Sequence, residues 1–116
     1  MKSERTPADY ISDILEASAQ IAQFIQGMTL EDFSADNKTQ FAVIRGLEII
    51  GGAVRKISPA VREKHPQIPW REIAGMRDKL IHDYIGVNTN IVWNAATKNL
   101  PAIEPELRQM LHELGG

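Results

Sequence analysis

The hydrophobic positions of this 116-residue chain recur at intervals of three and four residues along most of its length. That spacing places apolar side chains on one face of an α-helix, and the alternation typical of strands is almost absent. A first helix is predicted from Pro7, because Thr6 is a good N-cap and Asp9 is the acid three residues later. Its stripe of apolar or small residues is Ile11, Ile14, Leu15, Ser18, Ile21, Ala22, Ile25 and Met28. Gly27 weakens the end of this helix, and Thr29 begins a new cap or turn.

A second long helix is predicted from about Asp36 to Ile57. Gly51 and Gly52 interrupt its centre, where each glycine costs about 1 kcal/mol relative to alanine. We expect the compensating gain to be a close approach of a neighbouring helix. The predicted core stripe is Phe41, Ile44, Leu47, Ile50 or Gly51, Val54 and Ile57.

The second half of the chain predicts shorter helices. Ser58-Pro59 begins a short one that Pro66 ends, and Pro69 opens another from Trp70 to about Ile85. Residues 89–98 have weak helical character. A last helix is predicted from Pro101 to Leu114, with Leu107, Leu111 and Leu114 on one side. The expected fold is therefore all-α: one domain over residues 1–116, an antiparallel bundle of about four to six helices.

Composition narrows the chemistry. The chain has no cysteine, which excludes disulfides, thiolate zinc sites and cysteine nucleophiles. The three histidines do not have metal-ligand spacing, so no metal and no cofactor are expected. No apolar run reaches the roughly 20 residues that span a membrane, and the N-terminus has no signal-like apolar segment. A cytoplasmic protein without membrane association is the simplest interpretation.

The formal net charge of -2 conceals an uneven distribution. Residues 1–37 contain two basic and seven acidic side chains, whereas residues 45–79 contain eight basic and four acidic ones. The basic middle has two interpretations: an anion-binding face, or a helical surface that is basic without a ligand. The overall charge disfavours a protein that coats DNA.

The residues most suited to chemistry are Arg77, His82 and Tyr84, which fit the pattern Arg-x4-His-x-Tyr near a predicted helix end. Arginine is a permanent cation whose planar fork matches phosphate oxygens, and histidine moves protons near neutral pH. Together they could cleave RNA without a metal, His82 activating the 2′-hydroxyl and Arg77 stabilising the developing charge. The non-catalytic interpretation is a surface arginine, a histidine that favours the helix C-terminus, and a half-buried tyrosine.

Helix geometry sets a condition on this site. Arg77 and His82 are separated by about 140° around an ideal helix. They converge only if the helix distorts or if a second subunit completes the site. Asp78 precedes His82 by four residues, shares its face, and is expected to orient or charge the imidazole.

The other candidates have simpler explanations. His65 is expected to be a solvent-exposed loop residue, and His112 a surface residue. Trp70 and Trp93 are expected to be packing anchors, because two isolated tryptophans do not form a stacking platform for bases.

The ordered set of motifs resembles HepT, the toxin of the HepT–MntA toxin–antitoxin systems in the HEPN superfamily. The resemblance covers nearly the whole chain. It is carried by segments 9–15 and 25–27, by residues 41–51 (Phe-Ala-Val-Ile-Arg-Gly-Leu-Glu-Ile-Ile-Gly), by Ile68-Pro69-Trp70, by the Arg77/His82/Tyr84 pattern, and by segments 86–87 and 91–93.

The resemblance implies a HEPN-like bundle that dimerises through its helices. It also implies a metal-independent endoribonuclease whose Arg-x4-His motifs meet across the homodimer interface, which would resolve the angular problem. Arg77 and His82 become the catalytic pair. Tyr84 takes the position that a minimal nucleotidyltransferase antitoxin, MntA-like, modifies with AMP in these type VII systems. Glu48 matches an acidic position of the family and is expected to support the site or the interface. Gly52 departs from the acid expected there.

A second hypothesis stays open beside the toxin. The chain could be a non-catalytic subunit that binds nucleotide or RNA, or that docks a nucleotidyltransferase partner. The two hypotheses differ in whether His82→Ala removes a cleavage activity.

Overall fold

The computed structural model describes residues 4–82 and 88–115, and for Arg77 and residues 79–82 the backbone alone. Every regular element in these ranges is helical, which confirms the all-α fold that the sequence predicts. Seven α-helices follow one another: α1 Pro7–Phe24, α2 Leu30–Ser34, α3 Asn37–Lys56, α4 Pro59–Arg62, α5 Trp70–His82, α6 Thr89–Asn94 and α7 Leu100–Glu113. A π-helical segment, Ala95–Asn99, joins α6 to α7.

Side-chain caps fix where the first helices begin. The Thr6 hydroxyl accepts the backbone N–H of Asp9 at 3.2 Å, and the Asp9 carboxylate accepts the backbone N–H of Thr6 at 2.8 Å. Thr29 and Asp32 repeat this reciprocal cap at α2. These bonds satisfy N–H groups that the first helical turn leaves unpaired. The bond from Thr6 is also the main reason that the pKa of Asp9 lies below its usual value.

The core lies where α1 and α5 pack on α3. Gly46 of α3 permits the closest approach of α1, because a Cβ at this position would lie 2.8 Å from the Ile21 side chain. The buried side chains of the long helices are Ile11, Ile14, Ala17 and Ile21 of α1, and Val43, Leu47, Ile50, Ala53 and Val54 of α3. Leu47, Ile50 and Val54 confirm the predicted stripe of α3, and Ile57 is buried directly after it.

Phe41 does not belong to that core. The sequence predicts it as the first core residue of α3, but its side chain is 75% exposed. Phe41 precedes the buried Val43 by two residues, so it lies about 160° away around α3, and the neighbouring helices cover only the face centred on Val43, Leu47 and Ile50. Phe41 therefore belongs to a different surface.

The C-terminal part of the chain is one helical rod and not two separate helices. Pro101 has no N–H to donate to the Thr97 carbonyl, and its ring crowds that carbonyl. The wider π turn at Ala95–Asn99 directly precedes it and carries the helix past the proline without a break. Within α7, Leu107 and Met110 are buried, whereas Leu114, predicted on the apolar side, is 39% exposed beyond the helix end.

His65 is buried, contrary to its predicted place in an exposed loop. Only 8% of the residue is exposed. Its Nδ1 lies 3.0 Å from the Glu106 carboxylate, and its Nε2 lies 3.5 Å from that of Glu113. The two carboxylates come from α7, so the histidine ties the segment before α5 to the last helix. Hydrogen bonds from His65 and Gln67 hold the pKa of Glu106 below its usual value.

We predict that Glu106→Gln destabilises the protein in a pH-dependent way. A carboxyl group whose pKa is lowered by folding stabilises the folded state above its ordinary pKa of 4.5, and this contribution disappears as the pH falls through the lowered value. The variant should therefore unfold at a lower temperature than wild type at pH 7, and the difference should shrink below pH 4.5. Thermal unfolding followed by circular dichroism measures both values.

Glu104→Gln is the matched control for this experiment. Glu104 is on the same helix and pairs with Arg108 across one exposed turn, without reaching another element. It should change the unfolding temperature little at either pH. A deficit of Glu106→Gln that stays constant from pH 7 to pH 3 would contradict the role assigned to its ionised form.

Candidate active site

The start of α5, the helix that contains the predicted catalytic pair, is fixed by Trp70. Its indole N–H donates to the backbone carbonyls of Arg62 at 3.1 Å and His65 at 3.0 Å. The ring itself is buried. Trp93 is half-buried and packs on Phe33, with ring centroids 5.2 Å apart. Both tryptophans are thus packing anchors, as the sequence predicts, and Trp70 holds α5 against the segment that His65 ties to α7.

An ion pair attaches the middle of α5 to α3. The Arg55 guanidinium pairs with the Asp78 carboxylate and also lies 3.5 Å from the Ala74 carbonyl oxygen. Sequence reasoning counted Arg55 only as part of the basic middle and missed this contact, because nothing in the sequence pairs residues 23 positions apart. Asp78 was predicted to orient His82. The structure shows it bound to Arg55, and its role toward His82 stays a prediction.

Arg77 and His82 both lie on α5, and His82 is its last residue. The helix is of the α type from Trp70 to His82, so its backbone contains no distortion that would bring the two positions together. The separation of about 140° around the helix therefore holds within one chain. Of the two solutions that the sequence leaves open, a distorted helix is not found in α5, and completion by a second subunit stays a prediction. Tyr84 lies outside the described residues.

Glu48 is a half-buried residue of α3. It precedes Arg55 by seven residues, two helical turns, which places both on nearly the same side of the helix. Arg55 contacts α5 from that side. Glu48 therefore lies on the side of α3 that also presents Arg55, and its expected role in supporting the site or the interface stays a prediction.

A pocket of about 340 Å³ opens between α3, α5 and the π-helical segment. Its walls are mainly apolar, and Gln67, Glu72 and Asn99 supply polar groups. Met76, the residue before Arg77, is part of the lining. The segment before α5 and the first turn of α7 complete its walls, and sequence reasoning did not find the pocket because its residues come from separate parts of the chain. Its size and mixed lining suit one small ligand.

The charged surface near α5 is basic on two elements. Arg45, Arg55 and Lys56 are exposed on α3, and Arg71 is exposed in the first turn of α5. Because Arg55 pairs with Asp78, at least this residue of the basic middle contributes to helix packing and not only to binding of a ligand. Among the side chains that the structure describes, no three histidine, aspartate or glutamate residues come together as metal ligands. Within the same ranges, no helix is both long and apolar enough to cross a membrane.

Comparison with known proteins identifies the family of this helical domain. A family model described as "Ribonuclease HepT-like" matches residues 14–110. "Probable ribonuclease HepT" of Thermococcus cleftensis is 45% identical over 107 residues, covering 92% of this chain and 97% of that protein. "Putative RNase TTE0752" of Caldanaerobacter subterraneus subsp. tengcongensis is 42% identical over 109 residues, covering 94% and 97%. No solved structure matches the chain.

The fold and the match thus define an all-α domain of the HepT type. The chain belongs to the HepT-like ribonuclease family.

We predict that Arg55 and Asp78 stabilise the protein as a pair. Both side chains are nearly half exposed, so the pair should contribute at most about 1 kcal/mol, a fall of a few degrees in the unfolding temperature. Arg55→Ala, Asp78→Ala and the double variant form a thermodynamic cycle that thermal unfolding measures. Strict additivity of the two single effects would contradict the pairing. Arg108→Ala, which removes a pair within one helix, is the control.

Proposed function

We propose that this protein is a homodimeric, metal-independent endoribonuclease that acts as the toxin of a toxin–antitoxin system. The observation that carries the proposal is the position of Arg77 and His82 on one regular helix of a HepT-like chain. Their positions lie about 140° apart around α5, so Arg77 of one subunit can meet His82 of the other across a two-fold axis. The composite site then contains an arginine from one subunit and a histidine from the other. Its substrate is RNA in the cytoplasm.

The reaction follows from these two groups. His82 takes the proton of an RNA 2′-hydroxyl, and the 2′-oxygen attacks the adjacent phosphorus. Arg77 binds the phosphoryl oxygens and stabilises the negative charge that builds on them. The bond from phosphorus to the 5′-oxygen breaks, and that oxygen takes a proton from an imidazolium or from water. The products are a 2′,3′-cyclic phosphate and a free 5′-hydroxyl.

Two carboxylates support this site in the proposal. Asp78 shares the helix face of His82 and, held by Arg55, restrains the imidazole. Glu48, half-buried on α3, supports the interface between the subunits. Neither residue takes part in bond making.

Regulation is assigned to Tyr84. A minimal nucleotidyltransferase antitoxin transfers AMP to it: the phenolic oxygen attacks the α-phosphorus of ATP, its proton is lost, and pyrophosphate leaves. The product carries bulk and negative charge two residues beyond His82. RNA is then excluded sterically and repelled electrostatically.

The pocket beside Met76 favours a second candidate function. A cavity of about 340 Å³ with apolar walls and three polar residues suits a nucleobase. A non-catalytic subunit that binds nucleotide or RNA and docks a nucleotidyltransferase would also use it. This candidate predicts binding without cleavage.

We predict that the protein, produced without a partner, cleaves RNA in EDTA and leaves 2′,3′-cyclic phosphate ends. His82→Ala should abolish cleavage, because it removes the group that accepts the 2′-hydroxyl proton. Arg77→Ala should reduce the rate by at least about 100-fold, the usual cost of losing one transition-state donor. Gel analysis of labelled RNA and of its product ends measures both.

His112→Ala is the matched control, because His112 is exposed on α7 and has no part in the proposed site. It should cleave like wild type. Equal cleavage by wild type and His82→Ala would contradict the proposed site. No cleavage by any variant of a folded dimer would favour the binding subunit.

We predict that Tyr84→Phe cleaves RNA normally but escapes modification by the nucleotidyltransferase. The substitution removes only the acceptor oxygen. Cells that produce the variant together with the antitoxin should stop growing, whereas cells with the wild-type pair should grow. Intact-mass measurement should show added AMP on wild type alone. Full protection of cells that carry Tyr84→Phe would show that binding suffices for inhibition.

A further inference from the structure

The aromatic side chain of Phe41 on α3 is largely exposed to solvent in the single chain. Phe41 has the largest exposed fraction of the large hydrophobic residues in the described ranges. Phe24 of α1 and Ile49 of α3 are also 43% and 40% exposed, and with Arg45 they line a groove of about 240 Å³ between the two helices. Large apolar side chains left exposed to this extent are typical of contact sites.

The residues around Phe41 follow the spacing of a helix-pairing seam. Phe41, Arg45, Glu48 and Gly52 succeed one another at intervals of four, three and four residues on α3. These are the intervals between the d and a positions of a coiled coil, and they confine the four residues to about 60° of the helix surface. All four are exposed or half-buried. We call this stripe the outer seam of α3.

We propose that the outer seam pairs with the outer seam of a second copy, the two α3 helices running antiparallel about a two-fold axis. Antiparallel helices place an a position of one opposite a d position of the other. The register that sets Arg45 opposite Glu48 of the partner subunit also sets Phe41 opposite Gly52 of the partner subunit. Symmetry repeats both contacts, so the interface has two ion pairs flanked by two aromatic side chains.

Side-chain size and charge both select this register. A glycine opposite Phe41 leaves room for the ring, since no Cβ blocks its approach. A register shifted by seven residues in one direction would place Arg45 opposite Arg55 of the partner subunit, and these two residues have like charges. Shifting it in the other direction sets Phe41 against Arg45 and separates Arg45 from Glu48. In this register Gly52 has a specific function, which is to leave room for the Phe41 ring of the partner subunit.

This inference rests on the proposed homodimer and assigns the surface that forms it. Because α5 packs on α3, pairing the two α3 helices brings both copies of α5 to the same interface. Arg77 of one subunit and His82 of the other are then carried toward each other. The outer seam and the composite site are parts of one arrangement.

Disulfide cross-linking tests the register directly, because the natural chain has no cysteine. Phe41→Cys and Gly52→Cys in one chain lie about 16 Å apart along α3, too far for an internal bond, since disulfides span Cα separations below about 7 Å. Mild oxidation of the double variant, at a protein concentration well above the dissociation constant measured for Phe41→Ala, should give a covalent dimer on a non-reducing gel. Each single variant should remain uncross-linked, because its own counterpart is also about 16 Å away.

Charge exchange tests the ion pairs by sedimentation equilibrium. Arg45→Glu and Glu48→Arg should each raise the dimer dissociation constant at least about tenfold, and the double exchange should restore it, because the opposite charges face each other again. Phe41→Ala should raise it at least about 30-fold, since each dimer loses two buried rings. Leu114→Ala, an exposed leucine outside the seam, should leave it unchanged.

The outcomes separate this inference from the proposed function. A wild-type dimer whose double-cysteine variant does not cross-link overturns the seam and leaves the homodimeric ribonuclease standing. A wild-type protein that is monomeric at micromolar concentration overturns both. Failure of the double charge exchange to recover dimerisation overturns the register.

Discussion

The rest of the structure depends on the packing of α1 and α5 against opposite sides of the buried stripe of α3. Gly46 lets the backbone of α3 come close to Ile21 of α1, and Arg55 binds Asp78 on α5. Apolar burial provides most of the stabilisation, and the exposed ion pair adds little to it. The ion pair instead links the middle of α5 to the C-terminal end of α3.

Local interactions made the first half of the fold predictable. The Thr6–Asp9 cap and the Asp36 cap join residues three apart, so the sequence alone locates the starts of α1 and α3. Phe41 and His65 were wrongly predicted for the opposite reason. Whether Phe41 is covered depends on which faces of α3 the other helices occupy, and the partners of His65 are 41 or more positions away. Neither fact is contained in a local pattern.

The residues of the candidate site come from the sequence alone, and the structure adds part of their geometry. The spacing of Arg77 and His82 already shows that one straight helix cannot bring them together. The structure adds that α5 is regular from Trp70 to His82, and that Asp78 is bound by Arg55. The composite site that we propose also needs a second subunit, and a local sequence pattern does not show which surface of the chain would pair with its own copy.

The contact between His65 and α7 has a consequence for the newly made chain. Glu106 and Glu113 leave the ribosome after the segment that they contact, because translation proceeds from the N-terminus at about 5–20 residues per second. Until they emerge, the segment around His65 is bonded to Trp70 of α5 but lacks its contacts with α7. The start of α5, the helix that contains Arg77 and His82, is thus fastened to α7 only after Glu113 has been synthesised.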